Sequence, residues 1–155
     1  MDQTISQQLF SKMSQDPYAQ FMGIELLEVK PGYSRLTMTV GEHQVNFHGM
    51  PHGGAIFSLA DAAFAAASNS HGQTAVALTM NISFLSAVSV GTKLFAEAQE
   101  EKLGRRTALY HMTVTTEDGA LVASCHGMVY RKKEWFIEGE DARPQFGATA
   151  PSEGT

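Results

Sequence analysis

Residues 53–70 read Gly-Gly-Ala-Ile-Phe-Ser-Leu-Ala-Asp-Ala-Ala-Phe-Ala-Ala-Ala-Ser-Asn-Ser, and Asp61 is the only charged residue among them. Ile56, Leu59, Ala60, Ala63, Phe64 and Ala67 recur at helical spacing, which predicts an α-helix over about 54–70. A helix with no polar stripe is expected to be buried on all sides, so the rest of the chain must wrap around it. Asp61 then becomes the anomaly. Phe57 lies four residues before it and Phe64 three after, which puts the carboxylate on a face with two aromatic rings. Burying it unpaired costs on the order of several kcal/mol, enough to force pairing, protonation or use. The plain alternative is a carboxylate reaching solvent at a crevice.

The wrapping material is sufficient for one domain. A chain of 155 residues with 43% hydrophobic content buries roughly two thirds of its unfolded surface in a single core. The formal charge of -5 argues against nucleic-acid and membrane-surface partners, which attract basic patches. A single cysteine, Cys125, excludes an internal disulfide and reads as a core residue in a reducing compartment. The N-terminus lacks a basic flank and an apolar core, and Asp61 interrupts the only candidate membrane span, so a cytoplasmic protein is expected.

Asp16 and Pro17 read as an N-cap and first helical residue of a turn ending near Gly23. Residues 24–30 and 33–40 form a hairpin around Pro31-Gly32, followed by a loop over 41–51. After the helix, residues 76–84 alternate, with Val76, Leu78, Met80, Ile82 and Phe84 on one face and Ala77, Thr79, Asn81 and Ser83 on the other. Strands over 94–101, 107–116 and 120–132 follow as an antiparallel meander. One apolar helix among many antiparallel strands predicts an α+β domain, a curved sheet wrapped around one long central helix. The expected organisation is an N-terminal helical segment over 1–22, the domain over 23–132 and a loosely ordered tail over 133–155.

Asn46, Gly49, His52, Gly53, Gly54 and Asp61 form the pattern N-x-x-G-x-x-H-G-G-x(6)-D, with Ser58-Leu59-Ala60 leading into the aspartate. In these residues the chain resembles the hotdog-fold acyl-CoA thioesterases of the phenylacetate-pathway (PaaI) type, over about 23–131. The resemblance implies a hotdog fold and thioester hydrolysis without a cofactor beyond the coenzyme A of the substrate. It also implies active sites formed by paired subunits, with dimers frequently joined into tetramers. Asn46 and His52 would then polarise the carbonyl beside Gly53, and a Ser or Thr would stand near the carboxylate, a position that Thr79 matches. The acyl-CoA substrate is expected to be an aryl, arylacetyl or medium-chain thioester.

The chemistry asks for the same residue types. Thioester hydrolysis needs a donor where charge develops on the carbonyl oxygen and a base or nucleophile on the other side. The N–H groups at a helix start supply the donor, and Gly53 and Gly54 let an acyl group approach them closely. Asp61 supplies the second group, by activating water or by attacking the thioester. Eight helical residues span roughly 12 Å, too far for Gly53 and Asp61 of one chain to address one carbon. A two-fold dimer, setting Gly53 of each copy opposite Asp61 of the other, resolves this.

Each accessory residue has a structural alternative: Asn46 in a turn, His52 as a helix cap, Thr79 as an ordinary strand residue. His48 and His52 lack a third ligand nearby, so no metal is expected in this loop. No G-x-S-x-G elbow is present. Phe47, Met50, Phe57 and Phe64 are candidates for the acyl pocket. Arg105 and Arg106, with Lys102, or Arg131 with Lys132 and Lys133, are candidates for the coenzyme A phosphates. The competing reading is a non-catalytic acyl-CoA binding or sensing domain.

Overall fold

A computed structural model describes residues 3–137. It begins with helices α1 (Gln3–Gln15) and α2 (Pro17–Met22) and continues with strands β1 (Glu25–Lys30) and β2 (Tyr33–Thr39). A 3-10 turn (Glu42–Gln44) leads to helix α3 (Gly53–Ser68), which precedes β3 (Gln73–Phe84), β4 (Lys93–Leu103), β5 (Thr107–Thr116) and β6 (Leu121–Trp135). The six strands form one antiparallel sheet in the order β1-β2-β4-β5-β6-β3.

Local chemistry sets the ends of these elements. Asp16 accepts the Ala19 N–H at 2.9 Å, Pro17 opens α2, and Gly23 closes it in the left-handed region at φ 74°. Gly32, at φ 72°, turns the β1–β2 hairpin, and its N–H donates to the Ser70 hydroxyl at 2.7 Å. That bond ties the hairpin to the chain just past the end of α3.

The helix packs on the inner face of the sheet through Leu59, Ala60, Ala63, Phe64, Ala66 and Ala67, all 0–1% exposed. Ala96, Ala98 and Ala108 on the strands are equally small and buried, so helix and sheet backbones come close. The buried Ser34 hydroxyl reaches the Ala63 carbonyl at 2.6 Å. Gly127 is required by the same closeness: a Cβ there would stand 2.7 Å from the Phe64 ring. The expectation that α3 is buried all round is corrected. Gly54 and Ala65 are exposed and Phe57, Ser58, Asp61 and Ala62 half-buried, which is a continuous open stripe at helical spacing.

Two further expectations change. Ala77 pairs with Val129 and Thr79 with Met128, so Leu78 is the extra residue of a bulge that breaks the alternation. Paired residues share a face, which leaves Ala77, Met80, Ile82 and Phe84 on the inner side while Val76 and Thr79 face outward. The chain also remains structured past 133. Strand β6 runs to Trp135, and Ile137 packs with Ile5, Leu9 and Val29 in a second small core under α1. The rest of the expected tail lies outside the described residues.

Candidate active site

The loop before α3 is held from inside. Gln44 is buried, donates its amide to the Met22 carbonyl at 2.9 Å, and accepts the Gly41 N–H at 3.0 Å. Its carbonyl takes the His52 N–H at 2.7 Å, and Val45 bridges Pro51, so the loop closes on itself just where the helix starts. Within the loop the Asn46 side-chain oxygen accepts the N–H groups of His48 at 2.9 Å and Met50 at 3.1 Å. Gly49 supplies the positive φ of 77° that lets the chain reverse. Asn46 therefore shapes the turn with its oxygen and keeps its amide Nδ2 as a donor.

His52 is the N-cap of α3, and its Nδ1 accepts the Gly54 N–H at 2.8 Å. This fixes the tautomer with the proton on Nε2, which remains a donor. The carbonyl of His52 takes the N–H groups of Ala55 and Ile56. Among the described residues the Gly53 N–H has no acceptor, so it is the open donor at the positive end of the helix dipole.

Gly53 lines a cavity of about 370 Å³ together with Met50, Pro51, Ile56 and the segment from Phe84 to Val88. The lining is largely apolar, and the Phe84 ring would stand 3.2 Å from a Cβ at Gly53. The sequence reading did not include Phe84 to Val88. The alternation of residues 76–84 marks Phe84 only as a strand residue, and the run after it, Leu85-Ser86-Ala87-Val88, carries no polar signature that would mark a site.

Asp61 lies on the open stripe of α3. No described residue hydrogen-bonds its carboxylate, and partial burial holds the carboxyl above its ordinary value of 3.8. The Cys125 thiol is pushed up by burial and by the neighbouring Asp61 charge, so it is an inert core group rather than a nucleophile. Tyr18 of α2 reaches the same stripe: its hydroxyl lies 2.8 Å from the Ser58 hydroxyl, which donates to the Gly54 carbonyl at 2.8 Å. Sequence reasoning missed this contact because the two residues are forty positions apart.

One chain thus assembles Asn46, Met50, His52, Gly53 and Gly54, and sets Asp61 and Phe57 further along α3. Other candidates fall elsewhere. Phe64 is 1% exposed in the core and cannot line a pocket here. Phe47 is 92% exposed, its ring 4.0 Å from that of His48. Thr79 is exposed on the outer face of β3. Arg105 and Arg106 are exposed in the β4–β5 turn, which lies at the end of the sheet where α3 finishes, about 24 Å of helix from Gly53. Arg131 is not available to a phosphate: it is buried and donates to the Gly104 carbonyl at 2.9 Å and to Gln73 at 2.6 Å.

Comparison with known proteins identifies the family and the fold. The family model of the thioesterase superfamily matches residues 48–123. The acyl-coenzyme A thioesterase PaaI of Escherichia coli is 38% identical over 116 residues, 75% of this chain and 83% of its own. The solved structure of the E. coli PaaI protein superposes with a TM-score of 0.82 at 34% identity, covering 85% of this chain and 96% of that one. A Streptococcus mutans protein solved bound to acetyl CoA superposes with a TM-score of 0.68 at 28% identity, covering 70% and 88%. With the antiparallel sheet wrapped on α3 and the His-Gly-Gly turn at its start, the chain belongs to the thioesterase superfamily, as a hotdog-fold thioesterase of the PaaI type.

Proposed function

We propose that this protein hydrolyses an acyl-CoA thioester, of aryl, arylacetyl or medium-chain type, to the free acid and coenzyme A. The observation that carries the reading is the unpaired N–H of Gly53 at the start of α3, on a residue that lines a largely apolar cavity. The thioester carbonyl oxygen lies on that donor, where the helix dipole favours the oxyanion of the tetrahedral intermediate. Asn46 Nδ2 and His52 Nε2 are the further donors beside it. The acid that the cavity accommodates lies between Met50, Ile56 and Phe84.

Asp61 acts on the other side of the carbonyl carbon, as a base toward water or as the nucleophile. Its raised carboxyl pKa suits proton transfer, and its lack of internal partners leaves it free to act. Since Gly53 and Asp61 are about 12 Å apart along one helix, the working pair comes from two copies. Two features support that assembly. Strand β3 is an edge of twelve residues with Val76, Leu78 and Phe84 exposed, and α3 carries its open stripe beside Asp61. A homodimer is the proposed catalytic unit and a homotetramer the proposed assembly. Arg105 and Arg106 meet the coenzyme A phosphates only across such a subunit contact.

The test is free-thiol release from phenylacetyl, hydroxyphenylacetyl, benzoyl, short-chain and medium-chain CoA esters, with Asp61→Asn in parallel. Release from an aryl or medium-chain member that disappears in the variant is expected. Tight binding of these esters without release from any of them would favour the binding-domain reading instead.

A further inference from the structure

We infer that Glu101, His111 and His126 form a binding site for a divalent transition-metal cation on the outer face of the sheet, opposite α3. One ligand atom from each of the three lies within 4.8 Å of the others. The strand register builds the cluster. His111 of β5 pairs with His126 of β6, and Gln99 of β4 and Asn81 of β3 extend the same row on either side. Glu101 is the extra residue of a bulge in β4, between Glu100 opposite Tyr110 and Lys102 opposite Leu109. Having no partner on β5, its carboxylate reaches across that strand to within 3.5 Å of His126 Nε2.

The donor set is chemically specific. Two imidazole nitrogens and one carboxylate oxygen suit zinc and similar transition-metal ions, with positions left open for water, whereas magnesium and calcium favour all-oxygen ligands. Ser124 lies 2.9 Å from His111 Nε2 and holds that ring in place, as partners of metal-binding histidines do. The His111 and His126 rings stack with centroids 4.4 Å apart and planes 6° from parallel. Parallel rings direct their lone pairs side by side, so ligation requires one ring to swing toward the carboxylate. His126 and Glu101, with side chains 54% and 41% exposed, have room to do so. The proposed thioester chemistry uses none of the three residues. The His48 and His52 pair considered from sequence lies in the loop before α3, away from this face.

The experiment is titration of the chelator-stripped full-length protein with zinc sulfate, read by calorimetry and by histidine ring NMR. About one zinc per chain is expected, unaffected by excess magnesium and weakened at least about tenfold in both Glu101→Gln and His126→Gln. In the wild type, the ring signals of His111 and His126 should move together on sub-stoichiometric zinc, a readout that requires no variant to fold. Absence of zinc binding overturns the site. So does binding that persists in both variants, or that moves His43, His48, His52 or His71 while leaving His111 and His126 unchanged.

Discussion

The imidazole of His52 accepts the N–H of Gly54, which leaves the adjacent N–H of Gly53 as the unpaired donor at the start of α3. The two alternatives for His52, helix cap and participant in the site, are therefore one arrangement. By satisfying the second amide of the helix, the ring leaves the first amide for a ligand.

Removing the ring should reveal its structural share. His52→Ala is expected to lower stability by about 1 kcal/mol, the usual cost of an N-cap, while His52→Asn, which keeps a capping oxygen, restores most of it. Thermal unfolding checks this. A loss of turnover that His52→Asn does not restore would belong to the Nε2 donor rather than to the cap.

The Gly53 N–H can be deleted with little cost to the helix. Proline is favoured at the first helical position, and His52, at φ -71° and ψ 135°, already has the extended backbone that a following proline requires. Gly53→Pro should lower kcat by about 100- to 1,000-fold, as loss of an oxyanion donor does, with helix content retained. Gly53→Ala is the control, since its Cβ meets the Phe84 ring at 3.2 Å but its N–H remains. Equal activity of the two variants would remove the N–H from the mechanism.

Asp61 should link activity and stability to pH in opposite directions. Burial raises its native pKa above 3.8, so the native state binds this proton more tightly than the unfolded chain does. The stability it contributes is therefore fully present below 3.8 and is lost as pH rises through the native value. Asp61→Asn, which cannot ionise, should melt at neutral pH no lower than wild type, with turnover reduced by at least about 100-fold. The acid limb of kcat/KM should fall above pH 3.8. Unfolding curves and a pH–rate profile measure both.

Arg131 and the pair Arg105 and Arg106 should separate by phenotype. Arg131→Met leaves the Gly104 carbonyl and Gln73 without their donor and should cost about 2–3 kcal/mol in denaturant unfolding, with KM unchanged. The double variant Arg105→Ala, Arg106→Ala should raise KM for the coenzyme A ester and leave kcat unchanged.

The edge of β3 offers a test of the two-copy site. Lysines in place of Val76 and Leu78 put like charges on β3, the edge strand whose one side pairs with β6 and whose other side is open. Sedimentation should report a monomer, circular dichroism an unchanged fold, and the thiol assay no turnover. A variant that remains dimeric and active would place the subunit contact elsewhere.

Sequence by itself determined the elements whose causes are local: the α2 caps at Asp16 and Gly23, the Pro31-Gly32 turn, the apolar period of α3, and the His-Gly-Gly start that carries the family. It also indicated, from helix rise alone, that Gly53 and Asp61 of one chain are too far apart to meet at one carbon. What it could not determine depends on distant partners. Nothing local distinguishes Phe64, which Gly127 and the sheet enclose, from Phe57 on the open stripe. Arg131 resembles any strand-end cation until Gly104 and Gln73 fold against it. The bulges at Leu78 and Glu101 arise from pairing with β6 and β5, and a one-residue slip turns every later side chain to the other face. Register and long-range packing are properties of the closed sheet, and they decided which of the legible residues share a site.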